Sequence, residues 1–235
     1  MIKGMVNVFF DFDMTLGFRI LMWRDTVREL LLEQGVVVSV DEIRNFYEGK
    51  GYPWSRPMLT HQEFFNGKGW WDNTRDFIYD SLLDLCDIKR ARAVADNFRE
   101  RYIDIRYWKV FPDTVPTLKA LKSQGYNLYI LSNHVPEAHD IINSLGIGEY
   151  FVKMFISADI GAEKPNPMIY HRALEGLDGI NIMVGDNYEA DISGALQNGF
   201  DGAVLVRKPN TNNLRRYSKY LDGVILIIQE VINET

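Results

Sequence analysis

Two carboxylates one residue apart close the apolar run at Val8 to Phe10 in VFFDFDMTLG, and a threonine follows two positions later. If that run is an extended strand, Asp11 and Asp13 project to the same side, where their charges repel unless a cation or a shared proton intervenes. A hard divalent cation such as Mg2+, which takes oxygen ligands, relieves that repulsion. D-x-D also opens a calcium-binding EF-hand loop. That loop needs Gly at its sixth position and Glu at its twelfth, where this chain has Leu16 and Met22. An exposed turn is the other ordinary home for such a pair.

Three more polar stretches follow. ILSN, Ile130 to Asn133, ends on a hydroxyl able to donate to a phosphoryl oxygen, with backbone amides beyond it; Ser-Asn after a strand is equally ordinary turn chemistry. AEKPNP, Ala162 to Pro167, sets Lys164 before a proline, which holds the lysine backbone extended and helps aim its ammonium at a carboxylate and a phosphate together. Most lysines, by contrast, are solvated surface residues. GDNYEAD, Gly185 to Asp191, places Asp186 where it could share a cation with Asp11. Asp191, about a turn later, could bind a metal-bound water or orient Lys164. The ordinary alternative is that Asp186 or Asn187 caps the following helix.

Strand ends must deliver these groups. Met5 to Phe10 is a continuous apolar run, suited to a strand buried on both faces of a parallel sheet. From Phe111 the pattern alternates. PDTVPTLKALKSQG predicts a helix with Asp113 as its N-cap and Gly125 beyond its end; YNLYILSN, VKMFIS, NIMVGDN and GAVLV read as strands, with helices between them. A last strand and helix are expected within Gly223 to Asn233. Such alternation implies right-handed crossovers and a parallel sheet, whose ligands bind outside the carboxyl ends of its strands.

From about Arg24 to Arg106 apolar residues recur at helical spacing instead, which predicts a helical insert. WRDTVRELLLEQG carries a helix with Gly35 at a left-handed C-cap; SVDE and THQE match the capping box; two longer helices are expected at about Thr74 to Cys86 and Lys89 to Ile105, the second capped by Asp87.

The 235 residues carry a net charge of -6 with signs intermixed, which argues against a nucleic-acid polymer as partner. The one basic group, Arg207, Lys208, Arg215, Arg216 and Lys219, reads as a solvated face near a helix. A single cysteine, Cys86, excludes an internal disulfide framework and a thiolate-rich metal site, and suits a cytoplasmic setting. MIKGMVNVFF is too short for a signal-peptide core, and no run approaches the roughly 20 apolar residues of a membrane span. A soluble protein without a membrane partner is therefore expected.

In their order and placement the four motifs resemble those of the haloacid dehalogenase superfamily. DFDMT matches its D-x-D-x-T, Ser132 its Ser/Thr, Lys164 its lysine, and GDNYEAD its final acid motif. The resemblance implies an α/β fold: a Rossmann-like three-layer core with a parallel sheet of order 5-4-1-2-3, formed by residues 1–17 and 107–235. It implies an α-helical cap, residues 18–106, inserted between the first and second motifs as in subfamily I. It further implies a Mg2+-dependent phosphomonoester hydrolase acting on a small soluble phosphorylated metabolite. In that scheme Asp11 forms an aspartyl-phosphate and Asp13 acts as acid and then base. Mg2+ is held by the Asp11 carboxylate, the Asp13 backbone carbonyl and Asp186. Thr15, Ser132 and the Asn133 amide bind phosphoryl oxygens, Lys164 offsets charge, and Asp191 is a supporting or water-mediated ligand. Dehalogenating members lack the residue that Asp13 matches. A phosphomutase of the beta-phosphoglucomutase type is the alternative, and a non-catalytic phosphoryl-ligand binding protein the third reading. Substrate selection is expected from the insert, with Trp23, Arg24, Tyr52, Trp54, Arg56, Trp70 and Trp71 as candidates, and from His134 just beyond the second motif; packing competes as the account of the aromatic residues. Met14, where the family often has glycine, and Gly17 to Arg19 depart from the commonest pattern without removing a catalytic group.

Overall fold

The computed structural model describes residues 5–50, 59–65 and 67–235. The chain packs as two compact units, Met1–Phe18 with Lys109–Thr235, and Arg19–Trp108. In the first unit β1 (Val6–Phe10) is buried at all five positions, as a strand covered on both faces must be. The short β2 (Gly17–Arg19) and β3 (Trp108–Val110) form a separate two-stranded ribbon where the chain leaves and re-enters this unit. β4 (Asn127–Ser132), β5 (Lys153–Ile156), β6 (Ile180–Gly185), β7 (Gly202–Val206) and β8 (Tyr217–Ser218) join β1 in one sheet. Its order is β5-β4-β1-β6-β7-β8, and every pair is parallel. That is the expected five-strand order with β8 added at one edge.

Near the start of the three central strands, Asn7 stands in register with Asn127 and Asn181. The three amides satisfy one another, Asn7 donating to Asn181 at 2.9 Å and accepting from Asn127 at 3.2 Å. Higher up, Phe9 stacks on Tyr129 with centroids 4.7 Å apart and meets Phe200 edge-on at 5.1 Å.

The second unit is helical: α1 (Trp23–Glu33), α2 (Val40–Lys50), α3 (His61–Phe64), α4 (Trp70–Leu82) and α5 (Ile88–Ile103). α4 starts and ends four residues before the expected bounds. The predicted start and stop signals form: Ser39 and Glu42 exchange bonds at 3.2 and 2.8 Å, Thr60 and Glu63 at 3.3 and 2.7 Å, and Asp87 accepts the Arg90 N–H at 3.0 Å. Gly35 takes φ +74, which costs a glycine little. Trp23, a specificity candidate, lies in the core of this unit against Tyr47 and Phe98. No helix among the described residues is long and apolar enough to cross a membrane.

The first unit continues with α6 (Thr114–Ser123), α7 (Ala138–Ser144), α8 (Ser157–Ile160), α9 (Pro167–Leu174), α10 (Gly194–Gln197) and α11 (Val224–Glu234). The strand expected within Gly223 to Asn233 is absent. Leu221–Gly223 is a short 3-10 turn and the rest is α11. The run VILII suits either element, but Val224, Ile228 and Val231 bury one helical face while Leu226 stays 68% exposed.

Two further expectations change at the start of α6. Asp113 stands at the cap position, yet its side chain makes no cap bond. Its carboxylate instead takes two Arg207 N–H groups at 2.7 and 3.3 Å and the Leu221 N–H at 2.8 Å. Arg207 also donates to the Thr15 carbonyl at 2.7 Å and lies 3.7 Å over the Phe111 ring. It is thus a partly buried tie beneath the first motif, not part of a solvated face; Arg215 and Arg216, which pair with Glu234 on α11, do form one.

Burial alone would raise the Asp113 pKa, but Arg207 and the Leu221 N–H outweigh it and hold the carboxyl below its usual value. A carboxyl depressed on folding stabilises above its unfolded pKa of about 3.9 and loses that contribution as pH falls through the folded pKa. Asp113→Ala should therefore cost about 2–3 kcal/mol at neutral pH. The gap between variant and wild type in urea unfolding should narrow from pH 7 to pH 3; a gap independent of pH would contradict the ion-pair account.

Candidate active site

The first motif begins where β1 stops. The Asp11 N–H continues the sheet ladder to the Val184 carbonyl at 2.9 Å, so its carboxylate stands at the carboxyl edge of the central strand. The chain then turns back on itself, with Leu16 N–H to Phe12 O at 3.0 Å and Met14 N–H to Gly17 O at 2.7 Å. Met14 carries φ +60, which explains why glycine is at home there and costs a methionine about 1 kcal/mol. The turn returns Thr15, fully buried, so that its hydroxyl lies 3.4 Å from Asp11 Oδ2.

On one side, β4 ends on Ser132, whose Oγ donates to Asp11 Oδ1 at 2.9 Å. On the other, β6 ends on Gly185, where a Cβ would collide with the Asp191 carboxylate, so only glycine fits. Asn187 accepts the N–H groups of Glu189 and Ala190 at 3.0 and 3.1 Å; the cap thus falls to Asn187 and not to Asp186. A wide π-type turn, Tyr188–Ser193, follows and carries Asp191 back toward the strand end, where its Oδ2 accepts the Asn187 N–H at 2.9 Å.

Lys164 spends all three ammonium protons inside the site, on Asp11 Oδ1 at 3.0 Å, the Leu131 carbonyl at 2.7 Å and Asp191 Oδ1 at 2.5 Å. Its backbone is clamped by Asn133, whose side chain accepts the Lys164 N–H at 2.6 Å and donates to the Lys164 carbonyl at 2.9 Å. The Asn133 side chain therefore fixes the lysine, a task separate from the phosphoryl binding expected of its backbone amide.

A carboxylate oxygen from each of Asp11, Asp186 and Asp191 lies within 4.8 Å of the other two, and all three residues are buried. Burial pushes the Asp186 pKa up and Asp11 adds to the rise, while Lys208, 2.7 Å away, opposes it. Burial likewise raises Asp191, against the pull of Lys164. For Lys164 itself burial would lower the pKa, but Asp11 and Asp191 together outweigh it and keep the ammonium charged. Three carboxylates thus face one buried lysine and the half-exposed Lys208. An all-oxygen donor set with excess negative charge fits a hard divalent cation.

Asp13 is placed differently. Its side chain is 40% exposed, its carboxylate is outside the acidic trio, and it lies 3.6 Å from His134 Nε2. Of the two residues only Asp11 brings a carboxylate to the trio. His134, expected near the substrate, is 6% exposed and packs edge-on against Phe12; burial lowers its pKa to about 4 although Asp11 pulls it upward.

Among the other specificity candidates, Tyr52, Trp54 and Arg56 lie outside the described residues. Arg24 is on α1, with its Nε buried and without a hydrogen-bond partner among the described residues. Trp70 and Trp71 pack on each other at 4.7 Å, with Arg99 over the Trp71 ring. Lys208, read from the sequence only as part of a solvated basic face, is half-exposed but reaches Asp186; its position just beyond β7, at the same sheet edge as the motifs, is the signal that marks it.

A parallel sheet that presents a buried lysine and an acidic trio at its carboxyl edge defines an α/β enzyme built to handle a charged group. Residues 5–199 match the haloacid dehalogenase-like hydrolase family, and the chain belongs to it. A glyceraldehyde 3-phosphate phosphatase of Methanothermobacter thermautotrophicus is 36% identical over 125 residues, 52% of this chain and 55% of that one. The human haloacid dehalogenase-like hydrolase domain-containing protein 3 is 26% identical over 181 residues, 74% of this chain and 67% of that one. The matched part spans about half the length of the first curated relatives. Among solved structures, a phosphatase of this family from Thermococcus onnurineus superposes with a TM-score of 0.64 at 25% identity, covering 95% of this chain and 98% of that one. A magnesium-bound hydrolase of the same family from Bacillus subtilis shares the fold, with a TM-score of 0.71 at 17% identity, covering 97% and 100%.

Proposed function

We propose that this protein is a divalent-cation-dependent phosphatase that cleaves small soluble phosphomonoesters through an aspartyl-phosphate on Asp11. The observation that carries this reading is the setting of Asp11: its Oδ1 is held by Ser132 and Lys164, and its Oδ2 lies beside the Thr15 hydroxyl. A carboxylate so fixed at a strand end is oriented for attack on phosphorus, and the same hydroxyls and ammonium are at hand for the phosphoryl oxygens. As the bond from phosphorus to the ester oxygen breaks, Asp13 donates its proton to the departing oxygen. A water molecule then attacks the phosphoryl group, Asp13 takes the proton back, and inorganic phosphate leaves with Asp11 restored. A divalent cation, with Mg2+ the expected ion, would be held by Asp11, Asp186 and the Asp13 backbone carbonyl and would offset the charge on the transferred group. We assign substrate selection to the helical insert, residues 18–106.

The named activities of two relatives, on glyceraldehyde 3-phosphate and phosphoglycolate, direct the search to short-chain phosphates. The experiment is phosphate release from p-nitrophenyl phosphate and a panel of small phosphate esters. Stripping metal with EDTA should lower turnover about 100-fold or more, the equivalent of the several kcal/mol such an ion contributes, and Mg2+ should restore it. Chelation without effect would remove the metal from the reading. One structural neighbour is described as a beta-phosphoglucomutase, which keeps an isomerase as the second reading. Sugar-phosphate isomers formed in place of free phosphate would establish it.

A further inference from the structure

His134 has a geometry that neither phosphoryl binding nor substrate contact accounts for. Its backbone N–H donates to Ser157 Oγ at 3.1 Å, and that hydroxyl lies 3.3 Å from the His134 carbonyl, so the residue is tied to the start of α8. The Val135 N–H donates to the ring at Nδ1, 2.9 Å away. A nitrogen that accepts a hydrogen bond carries no proton, so the ring proton sits on Nε2. Nε2 lies 3.6 Å from Asp13 Oδ2. The ring is buried and edge-on to Phe12 at 5.6 Å, which fixes its plane, whereas the Asp13 side chain is 40% exposed. Contacts of this kind are often long in the ligand-free state and tighten when substrate binds.

We infer that His134 is a positioning residue for Asp13: its Nε2–H holds one carboxylate oxygen, so that the other faces the leaving-group oxygen and later the attacking water. The proton that moves in each half of the reaction is Asp13's, and His134 keeps its own. This inference rests on the acid–base role proposed for Asp13. It is a directional role, and it predicts that the contribution of His134 scales with the need for a proton at the departing oxygen.

The test compares p-nitrophenyl phosphate, whose leaving group departs without a proton, with phenyl phosphate, whose leaving group needs one. kcat/KM is the proper readout, because it reports steps only through departure of the first product. His134→Leu removes the N–H and roughly keeps the volume. It should lower kcat/KM for phenyl phosphate about 10- to 100-fold, part of the roughly 100- to 10,000-fold a general acid contributes, and for p-nitrophenyl phosphate by less than about threefold. His134→Gln, whose amide can donate from a similar position, should recover most of the loss, and His134→Asn, which is too short, should not. Thermal midpoints of all three establish folding; should the leucine variant not fold, the Gln and Asn pair decides the question. Equal losses on both esters, or no recovery by a folded Gln variant, overturn the positioning role. Asp13→Asn separates the two levels. If it leaves phenyl phosphate turnover intact, the acid–base reading itself fails. If it abolishes that turnover while His134→Leu shows no leaving-group dependence, only the present inference fails.

Discussion

Asp11→Asn is expected to lose turnover by roughly 10^4-fold or more, as removal of a covalent nucleophile does, while the protein stays as stable as before or becomes more so. The amide is isosteric, and its oxygen can still accept from Ser132 and Lys164, now 2.9 and 3.0 Å away. What changes is charge. Asp11 is attracted by Lys164 at 3.0 Å and repelled by Asp186 and Asp191, each with an oxygen within 4.8 Å. At an effective dielectric constant near 20 the attraction is about 5–6 kcal/mol, and each repulsion is at least about 3–4 kcal/mol. Two repulsions therefore match or exceed one attraction, and neutralising Asp11 in cation-free buffer should leave the thermal midpoint within about 3 °C of wild type or raise it. The stabilisation gained on adding Mg2+ should shrink, because one of the ligands proposed for it is gone. Phosphate release, calorimetry and the Mg2+-dependent shift are read on one preparation. Retained turnover, or a midpoint far below wild type, would contradict the account.

The parts of this site that were legible in the sequence share one property: each is set by a few consecutive residues. Asp11, Ser132, Asp186 and Asp191 follow apolar runs that end in a strand, and strand ends in a parallel sheet face one edge, so residue type and local pattern sufficed. Lys164 was harder, because most lysines are solvated. Only its company, including an Asn133 clamp from 31 residues away, buries it. The Asp113–Arg207 tie joins positions 94 apart, and no spacing rule reaches across that distance; local chemistry favoured a cap for Asp113 and solvent for Arg207. Lys208, grouped with Arg207 as a solvated face, hid its tie to Asp186 for the same reason. The misread strand in α11 is a different failure: VILII is too short for its period to show, and what decides its form is the face offered by the sheet beneath Val224, Ile228 and Val231. The row of Asn127, Asn7 and Asn181 likewise exists only once three strands are in register.

Lys164→Met should act in the opposite sense to Asp11→Asn, although the two side chains touch. Methionine matches the lysine in length and fills irregular space well, so the loss is not one of packing. The lysine side chain is 2% exposed, and its removal leaves the Leu131 carbonyl without its donor and Asp11 and Asp191 without their shared cation. Ser132 and Asn187 still donate to those carboxylates, which keeps them oriented but does not neutralise them. Removing one partner from a buried ion pair costs about 3–5 kcal/mol. For a chain of this size that is a fall of roughly 6–20 °C in the unfolding of the sheet-bearing unit, measured in chelated buffer. Divalent cation should then stabilise the variant by more than it stabilises wild type, because it is the remaining source of positive charge and meets a more negative site. Turnover should fall as well, since the phosphoryl group arrives without the ammonium that offsets its charge. A variant as stable as wild type without metal, or one that gains no more from Mg2+ than wild type does, would show that Lys164 does not balance the trio. Two neighbours 3.0 Å apart thus divide the site's electrostatics: one adds to a surplus of negative charge, and the other holds that surplus in place.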